Sequence, residues 1–392
     1  MTRSLPVSFV VVISLLALGS RAEAQEPPDT IERPFVTGGV YDRPYLGRLL
    51  GRTAIGGYAE AHARYHRTDG LTEESGFLAK RFNLFTATRV SDFVRIGAEL
   101  EIEEGGEEVT LEFAAIDLII HSAFTLRGGM ILTPLGRFNL AHDSPLNPFT
   151  DRPIVSTELL GVALSEPGFG ALGSVGLGGR HRLTYEIYAT NGFSDGIIFD
   201  APGGTRLPAG RHNFEDQNSS PAVVGRVAWS PQAGHEVGLS THHGAWNVFD
   251  IEGAPVDERR SLTVGVVDLE TDVAGFAIAG EAAVVRVDLP PSLLNISARR
   301  QAGVYLDVER PLLRGVPATM PNATLSAKVR LDAVDFDQDQ PGDGVAQVSA
   351  GFNFRPTPDT VLKLDYVRGR IRDRFNSPGE RAALLFSVAT YF

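Results

Sequence analysis

Apolar and polar residues alternate with a period of two along most of this chain. Residues 93–102 read FVRIGAELEI, with Val94, Ile96, Ala98, Leu100 and Ile102 on one face and Arg95, Glu99 and Glu101 on the other. In ATLSAKVRLDA (323–333), Leu325, Ala327, Val329 and Leu331 oppose Ser326, Lys328, Arg330 and Asp332. Residues 302–309 set Ala302, Val304, Leu306 and Val308 against Tyr305, Asp307 and Glu309. Residues 346–355 set Val348, Ala350, Phe352 and Phe354 against Gln347, Ser349, Asn353 and Arg355. Successive side chains of a strand point to opposite faces, so this period predicts strands.

Sixteen segments carry the pattern, near 53–67, 78–90, 93–104, 107–120, 122–133, 163–178, 181–192, 220–230, 233–247, 258–271, 274–287, 298–310, 322–335, 343–355, 359–371 and 379–392. One face of each is apolar and the other is polar or charged from end to end. That suits a membrane barrel, with lipid outside and a wet lumen inside, better than a soluble sandwich. The fold class expected is all-β: a transmembrane antiparallel β-barrel of about 16 strands, with 14 or 18 as alternatives. The connections support it. Most of those after even-numbered strands are short (SD, HS, GR, PQ, DVA, PTPD), and most of those after odd ones are long, notably 134–162, 193–219, 248–257, 288–297 and 372–378. The third-to-fourth connection is short and 311–321 is long, against the trend. In the fourth segment the apolar phase switches from Val109, Leu111 and Phe113 to Ile116, Leu118 and Ile120, which predicts a β-bulge.

The first residues, MTRSLPVSFVVVISLLALGSRAEA, combine a basic start, a short apolar run and an A-x-A site. They read as a signal peptide, 1–24. Residues 25–52, rich in Pro and Gly, read as a periplasmic lead-in, and 53–392 as the barrel. The chain is acidic, at −12 overall, which argues against a nucleic-acid partner. It contains no cysteine, and 42 glycines. After residue 24 no apolar run reaches the length of a membrane helix.

Several constellations have a plain structural reading. Gly168-Phe-Gly170-Ala-Leu-Gly173 matches GxGxxG but is followed by another strand rather than a helix, so it reads as small residues in a strand. His242-His243 lack further ligands at metal spacing. Asp335, Asp337 and Asp339 lack the glycine and glutamate of a calcium loop and read as an acidic surface loop. There is no Cys nucleophile and no GxSxG. The chain reads as a non-enzyme with no cofactor and no metal.

The stretch PLGRFNLAHDSPLNPFTDRP, 134–153, stands out, because four prolines bar a regular helix or interior strand. It mixes apolar residues with Arg137, His142, Asp143, Asp151 and Arg152. A loop of this length without secondary structure calls for a function.

Two resemblances follow. The ending ALLFSVATYF is similar to the closing strand of bacterial outer-membrane barrels, which implies reading of Phe392 by the barrel assembly machinery. IGGYAEAHARY, RFNLFTATRVSDFVRIGAELEIE, EVTLEFAAIDLII and LRGGMILTPLGRFNLAHDSP resemble the phosphate-selective porin superfamily over the first two-fifths of the chain. The resemblance implies a sixteen-stranded barrel, assembled as a homotrimer, in which loop 134–162 is the third external loop and folds inward. It does not carry over phosphate selectivity, because the wall charges are mixed. The expected lumen wall includes Arg81, Arg95, Glu99, Glu101, Glu112, Arg127, Arg182, Lys328 and Arg330. Arg137, His142, Asp143, Asp151 and Arg152 would form the constriction.

The function expected is an outer-membrane porin for passive diffusion of small hydrophilic solutes, anionic or neutral, in the bacterial cell outer membrane. Its surroundings would be outer-membrane lipid and lipopolysaccharide. The alternative is a structural or surface-binding barrel that acts through its external loops.

Overall fold

The computed structural model describes Arg43, residues 52–201 and residues 203–392. The expected signal peptide, and the 25–52 lead-in apart from Arg43 and Arg52, lie outside the described residues.

The strands are β1 (Thr53–Thr68), β2 (Leu71–Arg89), β3 (Val94–Glu103), β4 (Glu108–His121), β5 (Phe124–Leu132), β6 (Ser165–Gly178), β7 (His181–Thr190), β8 (Ala222–Gln232), β9 (His235–Ala245), β10 (Asp250–Ile251), β11 (Ala254–Pro255), β12 (Ser261–Val273), β13 (Phe276–Val287), β14 (Arg300–Arg314), β15 (Thr324–Asp335), β16 (Gly344–Thr357), β17 (Thr360–Arg372) and β18 (Pro378–Tyr391). β10 and β11 form a small hairpin of their own. The other sixteen close into one antiparallel barrel, each pairing with its neighbours in the chain. β1 and β18 close the ring, from Tyr58 opposite Tyr391 to Thr68 opposite Arg381. Closure leaves no sheet edge to template aggregation or face lipid unpaired. Phe392 extends the seam: its N–H donates to the Gly57 carbonyl at 3.0 Å, and its ring stacks on Phe82.

Every expected barrel strand is present. The largest difference in bounds is at β2, which begins at Leu71 rather than near 78, so the first connection is a tight turn. Asp69 and Gly70 both take positive φ (50° and 81°), as a two-residue hairpin turn requires. The added piece, LTEESGF, is missed by sidedness because only its end residues, Leu71 and Phe77, are apolar and no alternation runs between them. The expected bulge in β4 is there. Glu99 faces Phe113 and Leu100 faces Leu111, leaving Glu112 as the extra residue. Glu112 and Phe113 are consequently both buried.

The faces sort as a lipid-exposed barrel requires. Ile96, Leu118, Leu126, Ile187, Leu239, Val267, Leu306, Leu331, Leu364 and Leu384 are exposed on the outside. Exposed Phe93, Phe124, Trp229 and Phe392 all sit at the end with the short turns, where an interfacial aromatic girdle belongs. Glycine serves close packing in the wall. A Cβ on Gly170 would lie 1.9 Å from the Ile187 carbonyl oxygen. The GxGxxG match is thus a stretch of β6 pressed against β7.

One part of the inner face departs from the polar pattern. Leu262, Val264 and Val266 of β12 and Ala283, Val285 and Val287 of β13 are buried and apolar. They form a core with Leu135, Phe138, Ile154, Val155, Leu159 and Leu160 of the β5–β6 connection and with Phe193, Ile197 and Leu207 of the β7–β8 connection. At the same end of the barrel, Arg260 hydrogen-bonds Asp257 at 3.1 and 3.2 Å and holds its carboxyl below the usual range. Asp335 and Asp337 accept the backbone N–H groups of Asp337 and Asp339, while Asp339 pairs with Arg300. Those acids are spent on turn geometry and an ion pair.

Candidate functional site

Four prolines leave residues 134–153 unable to satisfy their own backbone groups, and buried backbone polar groups need partners. The barrel wall supplies them. Its helical start, α1 (Arg137–Leu140), directs backbone N–H groups at the wall. Gly136 N–H donates to Ser240 Oγ at 3.0 Å and Phe138 N–H to Glu281 Oε1 at 2.5 Å. Further along, Lys363 Nζ donates to the carbonyls of Ser144 and Phe149, at 2.8 and 3.1 Å. Thr150 N–H donates to Asp365 Oδ2 at 2.8 Å, and Ile154 N–H to Asp332 Oδ2 at 2.6 Å. Arg330 Nη1 donates to the Asp151 carbonyl at 2.8 Å while Nε and Nη2 grip Asp307 at 2.6 Å each. Lys328 reaches the Pro148 carbonyl and pairs with Asp365 at 2.6 Å. The Phe149 ring lies under both cations, 4.6 Å from Lys328 Nζ and 4.5 Å from Arg330 Cζ. Such contacts fix the loop by charge-assisted hydrogen bonds, the strong kind.

The neck of the connection is closed separately. Thr133 N–H donates to the Leu164 carbonyl at 2.9 Å. The Asn139 amide bridges the same two strand ends: Nδ2 donates to the Thr133 and Leu164 carbonyls at 2.8 and 2.9 Å, and Oδ1 accepts from Leu164 N–H at 2.8 Å.

The five residues expected at the constriction separate into two groups. His142 and Asp143 are each 1% exposed and so do not face open solvent. His142 lies between the Asn139 carbonyl (2.8 Å) and Glu112 (3.3 Å), and Asp143 accepts Tyr391 Oη at 2.9 Å. The β4 bulge is what aims Glu112 at this imidazole. Asp151, Arg152 and Arg137 keep partial exposure. Asp151 pairs with Arg64 at 3.3 Å, Arg152 stands 3.8 Å from Glu101, and Arg137 pairs with Glu270. Nearby Glu158 is exposed.

The expected wall residues are all on the inner face, and most are engaged. Arg81 contacts Glu60, Glu101 and Glu103 at 3.0, 3.3 and 2.5 Å. Arg127 grips both oxygens of Asp117, at 2.7 and 3.0 Å, and Arg95 shares that acid at 2.9 Å. Glu99 accepts from Asn83 at 3.0 Å. Arg182 donates to Ser174 at 3.2 Å and is part-buried. Of the two histidines, His242 is buried 3.5 Å from Glu166, whereas His243 points outward to Thr263. Among the described residues, thirteen buried carboxylates stand against eight buried lysines and arginines.

Asn139, Glu60, Tyr391 and Arg43 belong to this network without having been singled out from sequence. Glu60 had a signal, since it is the acid of the GGYAE segment. Tyr391 alternates inward next to the terminal Phe392. For Asn139 and Arg43 no pattern in the chain points inward.

No protein-family model matches the sequence. Over 362 residues the chain is 27% identical to an uncharacterized protein of Aquifex aeolicus (strain VF5), spanning 84% of this chain and 79% of that one. Among solved structures, the anion-selective porin from Comamonas acidovorans has a TM-score of 0.55 at 11% identity, over 87% of this chain and 99% of that one. OmpF of Salmonella typhi in complex with daunomycin gives 0.57 at 14%, over 87% and 98%. The outer membrane channel DcaP of Acinetobacter baumannii gives 0.54 at 13%, over 87% and 97%. At these identities the likeness is one of architecture: the chain has the closed sixteen-stranded antiparallel barrel fold of outer-membrane porins.

Proposed function

We propose that the protein is an outer-membrane porin, a channel for passive diffusion of small hydrophilic solutes, narrowed by loop 134–162. The observation that carries this reading is a closed barrel with lipid-compatible residues outside and charged side chains inside. The narrowing would lie where Asp151 and Arg152 of the loop meet Arg64 and Glu101 of the wall. His142 and Asp143 then act as anchors behind it rather than as pore lining. The excess of wall carboxylates, acting on the lumen through their summed field even where the side chains are covered, supports a preference for cations over the anionic or neutral solutes expected from sequence. The likeness of the first two-fifths of the sequence to phosphate-selective porins supports a channel; the carboxylate excess stands against a phosphate preference.

The outer apolar belt and aromatic girdle support placement in lipid, with lipopolysaccharide at the loop end. The sequence likeness supports a homotrimer, and Phe392 at the seam supports recognition by the barrel assembly machinery. The test is purified protein in a planar bilayer, where stepwise, ohmic conductance is expected. A correctly folded barrel that stays electrically silent would overturn the channel reading and leave a surface-binding role.

A further inference from the structure

Arg43 precedes β1 by ten positions, yet its side chain is only 3% exposed, deep among groups of the barrel interior. Its guanidinium is held on three sides. Nη1 donates to both oxygens of Asp143, at 2.9 and 2.8 Å. Nη2 donates to Glu99 Oε2 at 2.7 Å. Phe85 lies against the cation, with Cζ 5.1 Å from the ring centroid. The socket is itself braced. Tyr391 Oη donates to Asp143 Oδ2 at 2.9 Å, and Asn83 Nδ2 to Glu99 Oε1 at 3.0 Å. Loop 134–162 supplies one carboxylate, β3 the other, β2 the aromatic ring and β18 the phenol. None of these four pieces is local to Arg43 in the chain.

This arrangement suits a guanidinium and not a cation in general. A planar fork can address two carboxylates at once while laying its face on an aromatic ring. An ammonium is a compact point charge that does not span both acids and stack. Without the arginine, two buried acids would face each other, still oriented by Asn83 and Tyr391.

We propose that Glu99, Asp143 and Phe85 form a guanidinium-selective socket, filled in the unchanged protein by Arg43 and able to take a free guanidinium-bearing solute once that side chain is removed. The site is a property of the folded barrel and holds whether or not the barrel conducts.

The test uses full-length protein with Arg43→Ala, and binding of L-arginine or L-lysine read by titration calorimetry in detergent. L-arginine is expected to bind the variant about tenfold more tightly than L-lysine. It is expected to show no binding to the unchanged protein, where the socket is filled. In the Arg43→Ala background, Glu99→Gln together with Asp143→Asn is expected to abolish binding. Equal affinity for the two amino acids, no binding to Arg43→Ala, or binding that survives loss of both acids would overturn the proposal. If Arg43→Ala does not fold, refolding into detergent with L-arginine or L-lysine decides. Rescue by arginine alone supports the site, and rescue by neither or by both overturns it. Conductance is recorded separately, so a silent barrel that binds arginine refutes only the channel.

Discussion

At the scale of the residue, inner-face charges divide by whether they hold the loop or only line the wall. Arg330 pairs with Asp307 and caps the Asp151 carbonyl in a dry setting. Removing one member of a buried pair leaves the other charge uncompensated. Arg330→Met is therefore expected to cost about 3–5 kcal/mol of stability, read by urea unfolding of the reconstituted barrel. Arg182 is the contrast: part-buried, with a neutral hydroxyl, that of Ser174, as a hydrogen-bond partner. Arg182→Met is expected to change stability by less than about 0.5 kcal/mol in the same assay. Period-two alternation announced that both arginines face inward, because alternation reports the face of a strand. It could not announce that Arg330 would meet Asp151, 179 positions away, because alternation is silent about what lies opposite. The same limit explains His142 and Asp143. Their polarity was legible, and their burial depends on β4, β18 and Arg43.

At the scale of the element, the strands were readable wherever one face meets lipid. The phase switch in β4 gave away its bulge. The start of β2 was hidden because no alternation runs through LTEESGF, although the Asp69-Gly70 turn signal stood beside it. The apolar inner face of β12 and β13 was hidden for the opposite reason. In SLTVGVV the apolar Leu262, Val264 and Val266 alternate with Ser261, Thr263 and Gly265, so periodicity alone would turn the apolar set toward lipid and conceals the second core inside. For loop 134–162, deletion of residues 138–150 is expected to raise single-channel conductance, and unchanged conductance would place the narrowing elsewhere. Asn139→Ala should loosen the neck without removing the loop. It strands the Leu164 N–H, while the Thr133 and Leu164 carbonyls keep their backbone donors, and a buried group left without its partner costs about 1–3 kcal/mol. The expected readout is faster proteolytic cleavage within 134–162.

At the scale of the whole molecule, sixteen strands, their order and their antiparallel pairing followed from the sequence pattern, because closure in lipid permits few other solutions. Charge balance did not follow so directly. A mixed wall was legible, but the excess of carboxylates emerges only when the buried groups are separated from those at the rims. A tenfold salt gradient across a bilayer is expected to give a reversal potential of the sign for cation preference. The opposite sign would mean that the partly buried arginines at the narrowing, Arg152 and Arg64, outweigh the buried acids.

The two sets of bonds that hold loop 134–162 differ greatly in sequence range, and this orders events during assembly. The neck joins Thr133 to Leu164 and forms as soon as β5 and β6 pair. The wall contacts reach Asp332 and Asp365, 178 and 215 positions away from their loop partners. Contacts so distant in sequence come late, after the entropy of closing long loops has been met. Its start can meet Ser240 of β9 and Glu281 of β13 as those strands are laid down, but the stretch from Thr150 to Ile154 must wait for β15 and β17. Seating is complete only when the far wall arrives, so finishing the loop and sealing the ring become one cooperative step. A barrel caught before that step would be recognised by a protease that cuts after Arg137 and spares the finished protein.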